Sequence, residues 1–252
     1  MPKFAANLSM MFGEVEFLDR FATASRAGYK GVEFLFPYAF EAEVLAGELS
    51  GNGLEQVLFN MPPGDWDAGE RGLACLPDRV GEFQDGVGTA IEYAKALNCP
   101  RLHVMAGLKP EGVDDGKLRE TYVSNLKFAA GELAKAGLML VIEAINWRDM
   151  PGFYLNYSAQ AFEIIDEVGA PNLKFQYDIY HMQRMEGELA NTITANLDRI
   201  GHMQLADTPG RHEPGTGEIN YPFLFEAIDA AGYDGWIGCE YVPAAGTEAG
   251  LG

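Results

Sequence analysis

Short apolar runs alternate along the chain with longer segments in which apolar residues recur every three or four positions. The short runs are typical of buried strands, and the three-to-four spacing is typical of helices that bury one face. The pattern predicts eight strands, at 4–9, 31–36, 54–60, 101–105, 138–143, 173–178, 201–205 and 236–240. It predicts seven helices between them, at 14–27, 39–51, 78–98, 117–136, 158–168, 186–199 and 222–231.

Strands that alternate with helices predict a parallel sheet, and eight repeats favour a closed (β/α)8 TIM barrel over an open sheet. The 252 residues suit one barrel domain over 1–252. Segments that enter strands are short, whereas those that leave strands are long, at 61–77, 106–116, 144–157 and 206–221. Because barrel enzymes build their active sites from the loops that leave the strands, we expect the chemistry at that rim.

Four polar residues each close a strand-like run: Glu143, Asp178, Gln204 and Glu240. A carboxylate at the end of a buried strand is costly unless something binds it, although each residue taken singly also fits a solvated strand end. Oxygen donors suit Mg²⁺ or Mn²⁺ better than zinc. The sequence therefore predicts a divalent metal at these four residues, with Mg²⁺ favoured and Mn²⁺ as the alternative. Glu143 and Glu240 are also candidate catalytic residues, because a carboxylate can exchange protons with a substrate.

Two further residue types suit a small anionic substrate. His181 lies three residues after Asp178 and is a candidate to hold a substrate hydroxyl or a developing oxyanion. Arg211 is the preferred candidate for a substrate carboxylate, because a guanidinium binds that group with two hydrogen bonds. Arg71, in a loop that could close as a lid, is the competing candidate.

Asn60 and His103 end the third and fourth predicted strands and are candidates to line the substrate pocket. His103 fits a hydrogen-bonded core histidine equally well.

Composition and missing motifs narrow the function. The net charge of -19 comes from 18 basic and 37 acidic residues and repels nucleic acid and anionic membranes. No apolar run approaches the roughly 18 residues of a membrane span. Three scattered cysteines without a CxxC pair predict the cytoplasm. The motifs GxGxxG after the first strand, GxxxxGK[ST] and HExxH are absent, which weighs against nicotinamide, nucleoside triphosphate and zinc-protease chemistry.

Segments along the whole chain resemble the hydroxypyruvate isomerases of the xylose-isomerase-like barrel superfamily. They include LFNMPPGDWDAGERGLACLP, VIEAIN, YDIYHMQRMEG, HMQLADTPGRHEPGTGEINY and GCEY. The resemblance implies a metal held by Glu143, Asp178, Gln204 and Glu240, with the two glutamates as proton donor and acceptor. Sugar epimerases of this superfamily usually have His at the third position, so Gln204 agrees with the hydroxypyruvate branch.

The activity that the resemblance implies is interconversion of hydroxypyruvate and 2-hydroxy-3-oxopropanoate by metal-assisted proton transfer through a cis-enediolate. The partner is then a small 2-oxo acid, and a homo-oligomer stays open. Relatives that act on four-carbon 2-oxo acids leave the substrate length open. Three further functions fit a barrel of this kind: a ketose 3-epimerase, an endonuclease-like protein and a non-catalytic sugar-binding barrel. Four histidines and a pI near 4.5 argue against the endonuclease, which needs a basic cleft.

Overall fold

The computed structural model describes residues 2–251, and their eight strands form a closed barrel. Each strand pairs in parallel with its neighbour in sequence, and the last strand closes on the first through Phe4 and Ile237. The predicted (β/α)8 fold is confirmed. The strands are β1 (Lys3–Asn7), β2 (Gly31–Phe34), β3 (Glu55–Asn60), β4 (Arg101–Val104), β5 (Met139–Glu143), β6 (Leu173–Asp178), β7 (Ile200–Leu205) and β8 (Trp236–Cys239).

Helices surround the barrel, and the main apolar core lies between them and the outer faces of the strands. None of the helices within residues 2–251 combines the length and the apolar character that a bilayer crossing requires. The helices are α1 (Asp19–Arg26), α2 (Ala42–Asn52), α3 (Val80–Ala96), α4 (Asp115–Lys135), α5 (Ser158–Val168), α6 (Ile179–Met185), α7 (Leu189–Ala195) and α8 (Tyr221–Ala231), with 3₁₀ turns at Leu197–Arg199 and Glu248–Gly250.

Two predicted helices were too long. The helix predicted over 14–27 begins only at Asp19, because residues 13–18 form turns. The helix predicted over 186–199 begins at Leu189, because Gly187 and Glu188 have φ of 69° and 50°. A left-handed backbone cannot continue a right-handed helix.

The prediction also missed α6, which follows β6 without a loop. Asp178, the last residue of β6, is its N-cap: the Asp178 Oδ1 atom accepts the backbone N–H groups of Tyr180 at 2.7 Å and His181 at 3.3 Å. A side-chain carboxylate that satisfies the free N–H groups of the first turn starts a helix at that point. The cap therefore fixes both Asp178 and His181 relative to the barrel rim.

The barrel interior has an apolar layer and a polar layer. Ala5, Val57, Leu58 and Val141 form a small apolar cluster, against which Trp236 packs. The polar layer is formed by fully buried side chains: Asn7, Glu33, Gln176, His202 and Gln204.

The polar layer lies directly beneath the rim. Successive side chains of a strand point to opposite faces, so Gln176 shares its face with Asp178, and His202 shares its face with Gln204. The barrel has room for the Glu33 carboxylate because its neighbour is Gly238: a Cβ there would overlap both carboxylate oxygens.

Candidate active site

Three carboxyl groups meet at the rim where the strands end. Glu143 ends β5, Asp178 ends β6 and Glu240 follows β8, and their exposed fractions are 5%, 1% and 6%. Burial raises the pKa of all three: that of Glu143 lies well above the ordinary value, that of Asp178 is raised, and that of Glu240 rises to about 8. Repulsion from Glu240 and Asp178 adds to the raised pKa of Glu143. Such a cluster favours a cation that would balance its charge.

Two of the carboxylate oxygens are suited to receive that cation. Within residues 2–251, the buried atoms Glu143 Oε1 and Asp178 Oδ2 have no hydrogen-bond partner. Each lies 3.7 Å from His181 Nε2, and the three residues form a compact buried group that could hold a metal ion. Because Oδ1 of Asp178 is used by the helix cap, Oδ2 remains free for the site.

Gln204 lies beside this group with its amide held at both ends. Its Nε2 donates to Glu33 Oε1 at 2.7 Å, and its Oε1 accepts from Gln176 Nε2 at 2.6 Å. A carbonyl oxygen has two lone pairs, so Gln204 Oε1 keeps one for a metal.

Glu33 fixes this orientation of Gln204. Its carboxylate also contacts His202 Nε2 at 2.7 Å and accepts from Asn7 Nδ2 at 3.0 Å. Hydrogen-bonded neighbours of this kind commonly orient metal ligands.

Arg211 reaches the carboxylates from the loop after β7. Its Nη2 atom lies 3.3 Å from Glu240 Oε2 and 3.9 Å from Asp178 Oδ2. Its positive charge opposes the effect of burial on the pKa of both acids. Arg211 has a positive φ of 54°. Its loop is held in place by the Asp207 carboxylate, which accepts the backbone N–H groups of Gly215, Gly217 and Ile219.

Arg71 is placed differently. Its guanidinium carbon lies 3.9 Å from the ring centre of Trp66, and its Nη1 donates to the backbone carbonyls of Trp66 at 2.9 Å and Glu70 at 2.6 Å. In the part of the chain that the structure describes, these contacts stay within its own loop. Of the two candidate arginines, Arg211 is the one that the structure brings to the carboxylates.

His103 lies next to Glu143, and Asn60 contacts the other nitrogen of the His103 ring. His103 Nε2 is 3.6 Å from Glu143 Oε2, and His103 Nδ1 is 3.0 Å from Asn60 Oδ1. Burial lowers the pKa of His103 to about 3, with a further contribution from His202, so the ring is neutral at physiological pH. Their role in lining a substrate pocket stays a prediction.

His181 has a neighbour that sequence reasoning did not single out. Its Nδ1 lies 2.7 Å from Asn146 Nδ2, three residues after Glu143. Glu33, Gln176 and His202 were missed as well. A signal for the last three was present, since each is a polar residue inside a strand and shares a face with other inward residues.

A family model for the xylose isomerase-like TIM barrel matches residues 21–252. The chain belongs to this family. Among the proteins similar to this chain is the hydroxypyruvate isomerase of Escherichia coli (strain K12), 54% identical over all of this chain and 97% of the relative. The 2-oxo-tetronate isomerase of Cupriavidus necator is 55% identical, again over all of this chain and 97% of the relative.

A solved structure extends the likeness to three dimensions. The structure titled AP endonuclease, family 2, from Brucella melitensis superposes with a TM-score of 0.98 at 49% identity, over all of this chain and 97% of the other. This xylose isomerase-like barrel is therefore matched along its whole length in both sequence and fold.

Proposed function

We propose that the protein is an aldose–ketose type isomerase that interconverts hydroxypyruvate and 2-hydroxy-3-oxopropanoate. The observation that carries the proposal is the pairing of Glu143 and Glu240 at one rim, with Arg211 between Glu240 and Asp178. Isomerisation needs groups that accept and return a proton, and a small 2-oxo acid needs a cation that receives its carboxylate. The two full-length relatives named as isomerases support the same reaction class.

The reaction moves one carbon-bound proton to the neighbouring carbon. A carboxylate of the pair, Glu143 or Glu240, removes a proton from the hydroxymethyl carbon of hydroxypyruvate, which gives an enediolate. A proton is then delivered to the former carbonyl carbon, and the hydroxyl proton passes from one oxygen to the other, so that atoms and charge balance. A glutamate that keeps one carboxylate oxygen free of the metal can accept this proton and return it.

The donor set fits a divalent cation. Glu143, Asp178 and Glu240 supply carboxylates, Gln204 supplies an amide oxygen, and two of the carboxylate oxygens are buried without partners in residues 2–251. Oxygen donors of this kind favour Mg²⁺, with Mn²⁺ as the alternative. A bound cation would polarise the substrate's oxygens and stabilise the negative charge that develops on them.

Two basic residues orient the substrate in this proposal. Arg211 receives the carboxylate, since it is the guanidinium at the rim and carries five donors in a planar fork. His181 Nε2, 3.7 Å from both Glu143 and Asp178, faces the same space and hydrogen-bonds a reacting oxygen. His103 Nε2 lies 3.6 Å from the other Glu143 oxygen, Oε2, and in this proposal His103 and its partner Asn60 line the substrate pocket there.

A four-carbon 2-oxo acid is the second candidate substrate, because a relative at 55% identity is named 2-oxo-tetronate isomerase. The chemistry at the two reacting carbons is the same, and the two substrates differ in what stands at the far end of the pocket. Nucleic acid is a poor substrate for this chain, since its net charge is -19. Three free, buried cysteines support the cytoplasm as its compartment.

Kinetics with the purified protein test the proposal. Hydroxypyruvate, 2-oxo-tetronate and a neutral ketohexose are compared by kcat/KM, each with added Mg²⁺ and with a chelator. The proposal predicts the highest kcat/KM for hydroxypyruvate and loss of activity in chelator. A higher value for 2-oxo-tetronate selects the four-carbon acid, and turnover of the ketohexose alone selects a sugar epimerase.

A further inference from the structure

Behind His181 lies a hydrogen-bonded group formed by Asn146 and Asp149, in the loop that leaves β5. Asn146 Oδ1 accepts the backbone N–H of Asp149 at 2.9 Å, and Asn146 Nδ2 donates to Asp149 Oδ2 at 3.0 Å. A backbone N–H can only donate and a carboxylate can only accept, so Oδ1 and Nδ2 of the Asn146 amide cannot exchange places. The orientation of the Asn146 amide is therefore set by two groups of Asp149, its backbone N–H and its carboxylate.

The fixed amide decides the role of the His181 ring nitrogen that it faces. Nδ2 of Asn146 lies 2.7 Å from His181 Nδ1, and the backbone N–H of Asn146 points to the same atom at 3.5 Å. Both groups are donors, so Nδ1 must be the acceptor. A neutral imidazole carries one proton, which must then be on Nε2. His181 is buried, and burial favours the neutral ring.

We propose that Asn146, held by Asp149, is a positioning residue that keeps His181 in the tautomer with its proton on Nε2. In this tautomer the N–H faces Glu143 Oε1 and Asp178 Oδ2 and can donate to an oxygen bound between them. The step from this donor to a substrate oxygen rests on the proposed function. A protonated nitrogen has no lone pair for a metal, so His181 is a donor in the site although it lies within the compact Glu–Asp–His group.

The Asp149 carboxylate is itself held by Tyr180 and Arg184. The hydroxyl of Tyr180 donates to Asp149 Oδ2 at 2.6 Å, and Arg184 Nη1 lies 3.4 Å from Asp149 Oδ1 and 2.7 Å from the Tyr180 hydroxyl. These donors keep Asp149 as an acceptor, which the orientation of Asn146 requires. Tyr180 and Arg184 lie on α6 with His181, so α6 supplies both the imidazole and the groups that hold its partner in place.

Nitrogen-15 NMR of the histidine rings measures the tautomer directly. The chain has four histidines, and His181→Asn assigns the signal of interest. His212 is an internal reference for the opposite tautomer, because its Nδ1 lies 2.7 Å from the backbone carbonyl of Val242 and must donate to it. The proposal predicts a proton on Nε2 of His181 in the substrate-free protein, both before and after addition of Mg²⁺. A proton on Nδ1, or loss of the Nε2 proton when Mg²⁺ is added, overturns it.

Variants test whether Asn146 holds the tautomer. Asn146→Ala removes the side-chain donor to His181 Nδ1, so it should give a mixture of His181 tautomers. Asn156→Ala is the matched control: Asn156 lies in the same loop and donates to the carbonyl of Ile145, and His181 should keep its single tautomer there. An unmixed Nε2–H tautomer in a folded Asn146→Ala protein contradicts the role of Asn146.

Kinetics complete the test. Asn146→Ala should lower kcat about 10-fold to 100-fold, the usual effect of removing the partner that orients an active-site ligand, and should change KM much less. A rise in KM with kcat unchanged contradicts a positioning role. If hydroxypyruvate is not turned over but the tautomer results hold, the orientation of His181 stands and the proposed function fails.

Discussion

At the scale of single residues, the site depends on how each carboxyl group uses its two oxygens. Asp178 gives Oδ1 to the start of α6 and keeps Oδ2 for the site. Glu143 has Oε1 without a partner among the described residues, whereas Oε2 lies near His103. Glu240 lies near Arg211 instead. The three acids therefore differ in which carboxylate oxygen is left for a metal or a substrate, although burial raises the pKa of each.

Replacing Glu143 or Glu240 by Gln tests the acid–base pair. Each change keeps the shape of the side chain but removes the proton acceptor, so we expect kcat to fall by about 10²–10⁴-fold. Glu218→Gln is the matched control, because Glu218 lies exposed on the Arg211 loop and contacts Gln183. An assay in which Glu240→Gln keeps more than about a tenth of the wild-type rate refutes the role of Glu240.

Substitutions of Arg211 and Arg71 test which arginine binds the substrate carboxylate. Arg211→Lys should raise the KM for hydroxypyruvate because an ammonium cannot make the paired contact of a guanidinium. Arg211→Ala should raise it about tenfold or more, since a hydrogen bond to a charged group contributes roughly 1.5–3 kcal/mol. Arg71→Ala serves as the comparison. The assignment is wrong if Arg71→Ala raises KM while Arg211→Ala does not.

At the scale of elements, the sequence predicts where strands end, but it predicts where helices begin only in part. Glu143 and Asp178 end their strands where the apolar runs stop, so their place at the rim followed from the alternation of apolar and polar segments. The start of α6 was not readable, because it depends on which way the Asp178 side chain turns. The role of Asn146 was hidden for the same reason: it depends on the orientation of an amide.

The packing of β8 against β2 can be tested at one glycine. In Gly238→Ala the new methyl group would overlap the Glu33 carboxylate, which is buried and hydrogen-bonded to Gln204. Overpacking of this kind typically costs about 1–3 kcal/mol, and displacement of Glu33 should also weaken Mg²⁺ binding through Gln204. Urea unfolding and calorimetric titration measure the two effects.

Gly131→Ala is the matched control for that experiment. Gly131 lies inside α4, and nothing stands within 4 Å of its missing Cβ. The same substitution there should stabilise the protein by about 0.5–1 kcal/mol, because Ala is a better helix former than Gly. If Gly238→Ala and the wild-type protein have equal free energies of unfolding, the barrel interior accommodates the added methyl group without destabilisation.

At the scale of the whole molecule, the raised carboxyl pKa values link stability to pH and metal. Glu240 has a pKa of about 8 in the folded chain against an ordinary 4.5. Near pH 7 the unfolded chain carries Glu240 ionised while the folded chain holds it protonated, so folding takes up a proton. The metal-free protein should therefore lose stability as the pH rises from about 7 to about 8.

Thermal unfolding in chelator and in Mg²⁺ measures this effect. The buried histidines have lowered pKa values, so they add stability only as the pH rises to about 6.5 and contribute no slope above it. Mg²⁺ should raise the Tm more at pH 8 than at pH 7, because the cation displaces protons from the carboxyl groups. In Glu240→Gln the slope in chelator should be smaller. An identical slope in both proteins would mean that another group titrates.

Glu33 has a consequence for the order in which the chain can fold. Its partners His202 and Gln204 lie 169 and 171 residues further along the chain. While the protein is being synthesised, the first half of the barrel can bring together β1 and β2 but cannot supply these donors. A carboxylate without them resists burial, so the early strands should stay open and hydrated until β7 leaves the ribosome. Burial of one acid side chain near the start of the chain is thereby tied to a strand that is made late.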